Sequence, residues 1–212
     1  MVLKITKSGM AEGIAALSAL DPDFARAVEV YGVPKPRSRP PGYDSLLKII
    51  VAQQVSTASA RAIQGRLNSF ADPMTPEVFL SLSDDDHRTI GLSRQKGNYG
   101  RAIAEAIVDG HVSLRGVARM EDEAAIEKLV TLKGVGRWTA EIYLMFALRR
   151  PDLWPADDLG IMMGYQQLKN LPERPNRKQL WDAGEVYRPW RSVAAQMMWH
   201  IVNTGRAEKA KM

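Results

Sequence analysis

The chain contains no cysteine, and its three histidines, His87, His111 and His200, lie far apart in sequence. The first absence excludes disulfides, thiolate zinc sites and cysteine-ligated iron–sulfur clusters. The second leaves no imidazole pair at the spacing of a metal motif. No apolar run approaches the roughly 20 residues needed to cross a bilayer, and the N-terminus lacks the continuous apolar stretch of a signal peptide. An intracellular protein with no membrane partner, not secreted, is therefore expected. Strand signals are equally scarce.

What the chain does have is helical periodicity. Its 212 residues are 45% hydrophobic, enough for a sizeable core in one domain or in two closely packed lobes. Apolar residues recur at three- and four-residue spacing through most of the sequence, which predicts an all-α fold. Helices are predicted over Met10 to Leu20 and Pro22 to Tyr31, the second opened by Asp21 as N-cap and Pro22 at N1. The proline-rich stretch from Gly32 to Gly42 reads as a linker. Asp44 or Ser45 is expected to cap a long segment ending at Phe70, whose apolar face is interrupted at Gln53-Gln54; Ser56 offers a fresh cap there. Thr75 to Leu82, Ser93 to Val108, Glu121 to Val130 and Arg137 to Arg149 are the next predicted helices. Asp157 or Asp158 opens another. The last starts near Pro189, turns Trp190, Val193, Ala194, Met197, Met198 and Ile201 toward a core, and is expected to fray from Gly205. The expected organisation is a single unit: N-terminal helices and linker (1–42), a helical barrel lobe (43–150) ending in a hairpin motif (121–149), and C-terminal helices (151–212).

Leu132-Lys133-Gly134-Val135-Gly136 joins two of these helices. Glycines at two positions of such a turn leave its amides open to a phosphate, and the following helix adds the positive end of its dipole. Val135 would pin the turn to the core, while Lys133 and Arg137 supply charge for backbone contacts that read no sequence. The net charge of +5 permits a polyanionic partner without requiring one. A plain αα-hairpin with a tight glycine turn explains the same five residues. Asp157-Asp158, about two dozen residues on, has a similar duality: aspartates cap helices, and a carboxylate at a helix N-terminus can also stabilise positive charge developing on a sugar ring.

Taken together, LKGVGRWTAEIYLMFALRRPDLWPADDLGI resembles the core of the helix-hairpin-helix DNA glycosylases, in the 3-methyladenine DNA glycosylase II branch. IIVAQQVSTASA and GLSRQKGNY upstream and RPWRSVAAQMMWH downstream match that branch in the same order, so the resemblance runs from about Tyr43 to about Asn203. It implies two helical lobes with an active-site cleft between them. It also implies a base-excision repair enzyme that flips alkylated purines, of the 3-methyladenine and 7-methylguanine type, out of duplex DNA and hydrolyses their N-glycosidic bond. A monomer without cofactor is expected, cytoplasmic and nucleoid-associated or nuclear according to its source.

By position, the family's essential aspartate falls on Asp158, because Ile161 matches the apolar residue three positions after it; Asp157 is then the expected cap. Trp138 stands where bifunctional relatives carry a Schiff-base lysine, which implies base release without strand cleavage. Trp199 matches a position that lines the base pocket, Trp138 another aromatic near it, and Tyr143 is a further candidate; indole faces suit cationic purines. Trp199 is equally a core-type residue on its helix face. The Gln53-Gln54 loop, with Ser56, falls where the family places the residue that fills the gap left by the flipped nucleotide, and Gln54 is the candidate; a simple helix–helix turn is the other reading. The resemblance adds Gly134, Gly136 and Thr139 to the DNA contacts, and the backbone carbonyls of Val130, Leu132 and Val135 as holders of a structural monovalent cation. The alternatives are a non-catalytic DNA damage-binding protein of the same fold, and an enzyme for oxidised or mismatched bases.

Overall fold

The computed structural model describes residues 5–209, and every regular element among them is helical. In chain order these are α1 (Lys7–Leu20), α2 (Pro22–Tyr31), α3 (Tyr43–Ala52), α4 (Thr57–Phe70), α5 (Pro76–Ser81), α6 (Asp84–Ile90), α7 (Arg94–Val108), α8 (Leu114–Val117), α9 (Asp122–Val130), α10 (Arg137–Phe146), α11 (Leu159–Leu168), α12 (Arg177–Gly184), a 3-10 turn at Glu185–Tyr187, and α13 (Arg191–Lys209). None of the described helices is long and apolar enough to cross a membrane.

Most starts are written in short polar side chains. Thr6, Asp21, Ser56, Thr75, Ser83, Ser93, Ser113, Asp158 and Asn176 each accept a hydrogen bond from a backbone amide of the first turn they precede, satisfying a donor that the helix cannot. Four boundaries differ from the expectation. Helix α1 begins at Lys7, three residues before Met10, because Thr6 caps it by accepting from the Gly9 amide. Helix α3 begins at Tyr43 after Gly42, with no side-chain cap: the Asp44 carboxylate instead accepts from the Met74 amide at 3.1 Å and pairs with Lys48 at 2.8 Å, and the Ser45 hydroxyl donates to the Pro40 carbonyl. Helix α10 stops at Phe146 rather than Arg149, because Arg149 adopts φ +58° and Pro151 disfavours helix in the residue before it. Helix α13 opens at Arg191 rather than near Pro189, and its span reaches Lys209, past Gly205; the last three residues lie outside those described.

Two compact units result, one of residues 39–148 and the other of residues 5–38 with 149–209. In the second, α13 packs against α11, α1 and α2, and Val193, Ala194, Met197, Met198 and Ile201 are fully buried. Gly164 of α11 meets the main chain of α13 directly: a Cβ there would stand 2.3 Å from the Met198 carbonyl oxygen. Asp21 ties three segments together, accepting from the Asp23 amide, the Tyr187 hydroxyl at 2.9 Å and Lys169 Nζ at 2.7 Å. Burial beside Asp21 pushes the Tyr187 phenol far above its ordinary range, so it remains a donor.

In the other unit, α3 lies against α4, α7 and α10, with Leu46, Leu47, Ile50 and Val51 fully buried. Gly100 of α7 lets Phe79 of α5 lie close: a Cβ would meet its ring at 2.6 Å. These packings fix the two segments that carry the candidate DNA contacts.

Candidate nucleic-acid interface and carboxylate site

The glycine hairpin connects α9 to α10, and its two glycines do different work. Gly134 sits at φ +89°, and the Tyr99 ring occupies the space where a side chain would be, 2.3–2.8 Å from an added Cβ. Gly136 has ordinary extended dihedrals, φ −88° and ψ 173°, and nothing of the protein within 4 Å of an added Cβ. It precedes α10 without a side-chain cap, so that helix start faces outward with its amides and dipole unscreened by a side chain. Leu132 and Val135 are buried, each 4% exposed, and pin the turn; Lys133 is exposed.

Arg137 does not present the simple cation that its position suggests. Its guanidinium donates to both oxygens of Glu123, at 2.6 and 2.9 Å, and to Glu141 at 3.1 Å. The Glu123 partner raises its pKa, and Arg137 in turn holds the Glu123 carboxyl below its ordinary range. Two carboxylates on one guanidinium join α9 to α10, so Arg137 also braces the hairpin. Thr139 is 2% exposed, and its hydroxyl accepts from Gln53 Nε2 at 2.8 Å. Its side chain therefore serves the loop between α3 and α4 rather than solvent.

That loop carries Gln53, half-buried, and Gln54, exposed at φ +54°. Ser56, also exposed, caps α4 by accepting from the Ser59 amide at 3.1 Å. Gln53, Gln54, Lys96, Tyr99, the hairpin and Thr139 line one open groove of about 780 Å³. Of the carbonyls proposed to hold a cation, that of Leu132 accepts from the Val135 amide at 3.0 Å, leaving it one lone pair. No cluster of three or more His, Asp or Glu among the described residues could hold a metal; a resident ion at the hairpin would rest on main-chain oxygens.

The carboxylate site belongs to the other unit. Asp158, not Asp157, caps α11: its Oδ1 accepts from the Ile161 amide at 2.9 Å and from Trp199 Nε1 on α13 at 2.8 Å. Asp157 is exposed and pairs with Arg177 at 3.0 Å. Gly160 keeps the indole in place, since a Cβ there would stand 2.7 Å from Trp199 Cδ1 and 3.0 Å from Asp158 Oδ1. Both Asp158 and Trp199 are half-buried. Behind them the two sequence motifs bond to each other. Arg191 grips Asp152 through Nε at 2.8 Å and Nη2 at 3.0 Å, Ser192 Oγ accepts from the Leu153 amide at 2.9 Å, and the fully buried Trp154 donates to the Leu180 carbonyl at 2.8 Å.

Sequence reasoning found Asp158 and Trp199 separately and missed the bond between them. It is testable. Trp199→Phe keeps an aromatic face but removes a donor to a carboxylate, a bond worth about 1.5–3 kcal/mol, so single-turnover base release is expected to fall on the order of tenfold or more while affinity for abasic DNA is little changed. An unchanged rate would reduce the bond to packing. Of the other pocket candidates, Trp138 is half-buried on α10, whereas Tyr143 is fully buried, its hydroxyl accepting from the Gly42 amide at 3.1 Å. The Tyr143 ring thus offers no exposed face for stacking.

An all-α chain with an outward glycine hairpin and a helix-capping aspartate held by an indole defines a helix-hairpin-helix protein. Residues 47–189 match the family described as HhH-GPD superfamily base excision DNA repair protein, and the chain belongs to that family. DNA-3-methyladenine glycosylase 1 of Schizosaccharomyces pombe is 34% identical over 190 residues, 86% of this chain and 83% of the relative. The structure of the Schizosaccharomyces pombe 3-methyladenine DNA glycosylase Mag1 in complex with abasic DNA superposes with a TM-score of 0.82 at 33% identity, covering 89% of this chain and 95% of that one. A DNA-3-methyladenine glycosidase structure from Bacillus halodurans gives 0.77 at 30% identity, covering 99% and 94%.

Proposed function

We propose that the protein is a monofunctional DNA glycosylase that hydrolyses the N-glycosidic bond of alkylated purines in duplex DNA. The observation that carries the reading is the Asp158 carboxylate, fixed at the start of α11 and bonded to the Trp199 indole, within a chain that belongs to a base-excision repair family.

The chemistry needs little acid catalysis, because an N3- or N7-alkylated purine already carries positive charge and leaves readily. What it needs is stabilisation of the oxocarbenium-like sugar left behind and a positioned water, and a fixed carboxylate provides both. Two hydrogen bonds set the direction of Asp158, so no reorganisation is required as charge develops. Trp199 spends its N–H on Asp158 and keeps its π-face for a cationic base. Trp138 has no amine with which to form a Schiff base, so the product is an abasic site on an intact strand. Gln54 occupies the gap left in the duplex, and the amides at Gly136 with Lys133 hold the backbone. A monovalent cation on the main-chain oxygens of Val130, Leu132 and Val135 would supply a structural bridge to a phosphate and no step of the reaction. The reading has the enzyme act as a monomer.

The test is to incubate the purified protein with duplex DNA treated with a methylating agent and to identify released bases by chromatography. Release of 3-methyladenine, with strand breaks only after alkali, is the expected result. Binding without release of any base would instead make the protein a damage-binding member of the fold, and breaks without alkali would overturn the monofunctional assignment.

A further inference from the structure

The segment GLSRQKGNY has no part in the mechanism above, yet it leads into α7, and one face of that helix touches both candidate DNA contacts. Lys96 is half-buried and its Nζ donates to the carbonyls of Val51 at 2.7 Å and Gln53 at 2.8 Å. These lie at the end of α3, where a helix leaves carbonyls unsatisfied and a positive charge is favoured by the dipole. Burial lowers the Lys96 pKa, and the two carbonyls take the place of the water that burial removes from its ammonium. Gln53 is held at a third point by its side-chain bond to Thr139. The next residue, Gln54, is left-handed at φ +54°, a state disfavoured for a non-glycine residue that persists only where its neighbours enforce it.

One turn along, Tyr99 lies against Gly134 of the hairpin, and its hydroxyl accepts from Gln95 Nε2 at 2.6 Å. Residues three apart on a helix face the same way. The ammonium and the phenol ring therefore reach the loop and the hairpin from one rigid element, and all of them border the same groove.

We infer that α7 is the spacer that sets the Gln53–Gln54 loop and the glycine hairpin as one DNA-contacting surface, with Lys96 the positioning residue for the loop and Tyr99 for the hairpin. The inference rests on the proposed glycosylase reading, in which Gln54 enters the duplex. Lys96 touches no DNA in this scheme. It holds the conformation from which Gln54 reaches the gap beside a flipped nucleotide.

The experiment compares the full-length wild-type protein with Lys96→Met, Lys96→Arg, Gln54→Ala and the Lys96→Met/Gln54→Ala pair. Each is measured for affinity to an abasic-site duplex and to the undamaged duplex of the same sequence, for single-turnover release of 3-methyladenine, and for Tm. Lys96→Met is expected to lower the preference for abasic over undamaged DNA about tenfold and to slow release by a similar factor, with undamaged-DNA affinity kept. Lys96→Arg, which still offers two donors, should recover most of the preference. In the pair the two losses should not add, because they remove one function. Should Lys96→Met melt below the assay temperature, Lys96→Gln, which can still donate to one carbonyl, carries the same comparison. Equal weakening on both duplexes would make Lys96 an ordinary phosphate-binding cation, and additive losses or an unchanged preference would likewise overturn the inference. A wild-type protein that releases no base sinks the glycosylase reading itself, whereas an active wild type with an unaffected Lys96→Met sinks only the role of Lys96.

Discussion

Asp158→Asn should abolish release of alkylated purines while leaving the fold and the affinity for abasic DNA in place. Asparagine is as good an N-cap as aspartate, and its side-chain carbonyl can accept from the Ile161 amide and the Trp199 indole as the carboxylate oxygen does. The substitution therefore removes charge and little else. Loss of a group that stabilises the developing cation and orients water is expected to slow the single-turnover rate on the order of 10²- to 10⁴-fold. Asp157→Asn is the internal control. Its exposed pairing with Arg177 is of a kind that contributes at most about 1 kcal/mol, so release should be unaffected. A mutant pair with equal rates, or one in which Asp157→Asn is the slower, would remove Asp158 from the chemistry.

The second large effect separates the two glycines of the hairpin. Gly134→Ala is expected to destabilise the protein, because the methyl group collides with the Tyr99 ring at 2.3–2.8 Å and the backbone is left-handed at φ +89°. Overpacking of this kind costs about 1–3 kcal/mol, with about 1–2 kcal/mol more for the left-handed state, so Tm should drop by several degrees. Gly136→Ala should spare stability. Its dihedrals suit alanine and its surroundings are open, so the gain from a stiffer unfolded chain and the loss from alanine's poorer capping of α10 oppose each other and Tm should change little, while a methyl group now stands where a phosphate would approach the amides. Affinity for any duplex, damaged or not, should fall with Tm intact. Melting curves beside DNA titrations decide the matter, and a Gly136→Ala protein that binds as well as the parent would show that the hairpin does not grip the backbone there.

Local chemistry explains which parts of this arrangement were legible in the sequence. Asp21, Ser56, Thr75 and Ser93 announce their helices because each precedes a periodic apolar run and caps it. Helices α6, α8 and α12 are hard to read from the sequence because their short segments DDDHRTI, LRGV and RKQLWDAG carry few apolar residues to mark a face, unlike PEVFLS of α5; the Ser83–Asp86 and Asn176–Gln179 capping boxes are the clearest local signals for two of them. Site residues follow the same rule. The i,i+4 relation of Arg137 to Glu141 is visible in the chain, but the Glu123 pairing fourteen residues earlier is a product of folding. Asp158 and Trp199 are 41 positions apart, and no pattern joins an N-cap to an indole on another helix. Lys96 looks like any surface lysine until α3 ends in front of it.

The bare crossing of α11 over α13 at Gly164 has a consequence for how such a protein can diversify. Main chain rests on main chain there, with the Met198 carbonyl filling the place of a side chain, and the next residue along α13 is Trp199 itself. The distance between the two helices is then a property of the backbone and not of replaceable side chains, so the aspartate and its indole form an anchored datum that substitutions around them cannot retune. Shifting the indole relative to the carboxylate is therefore expected to take a change of main chain at this crossing, such as a residue larger than glycine at position 164 would force.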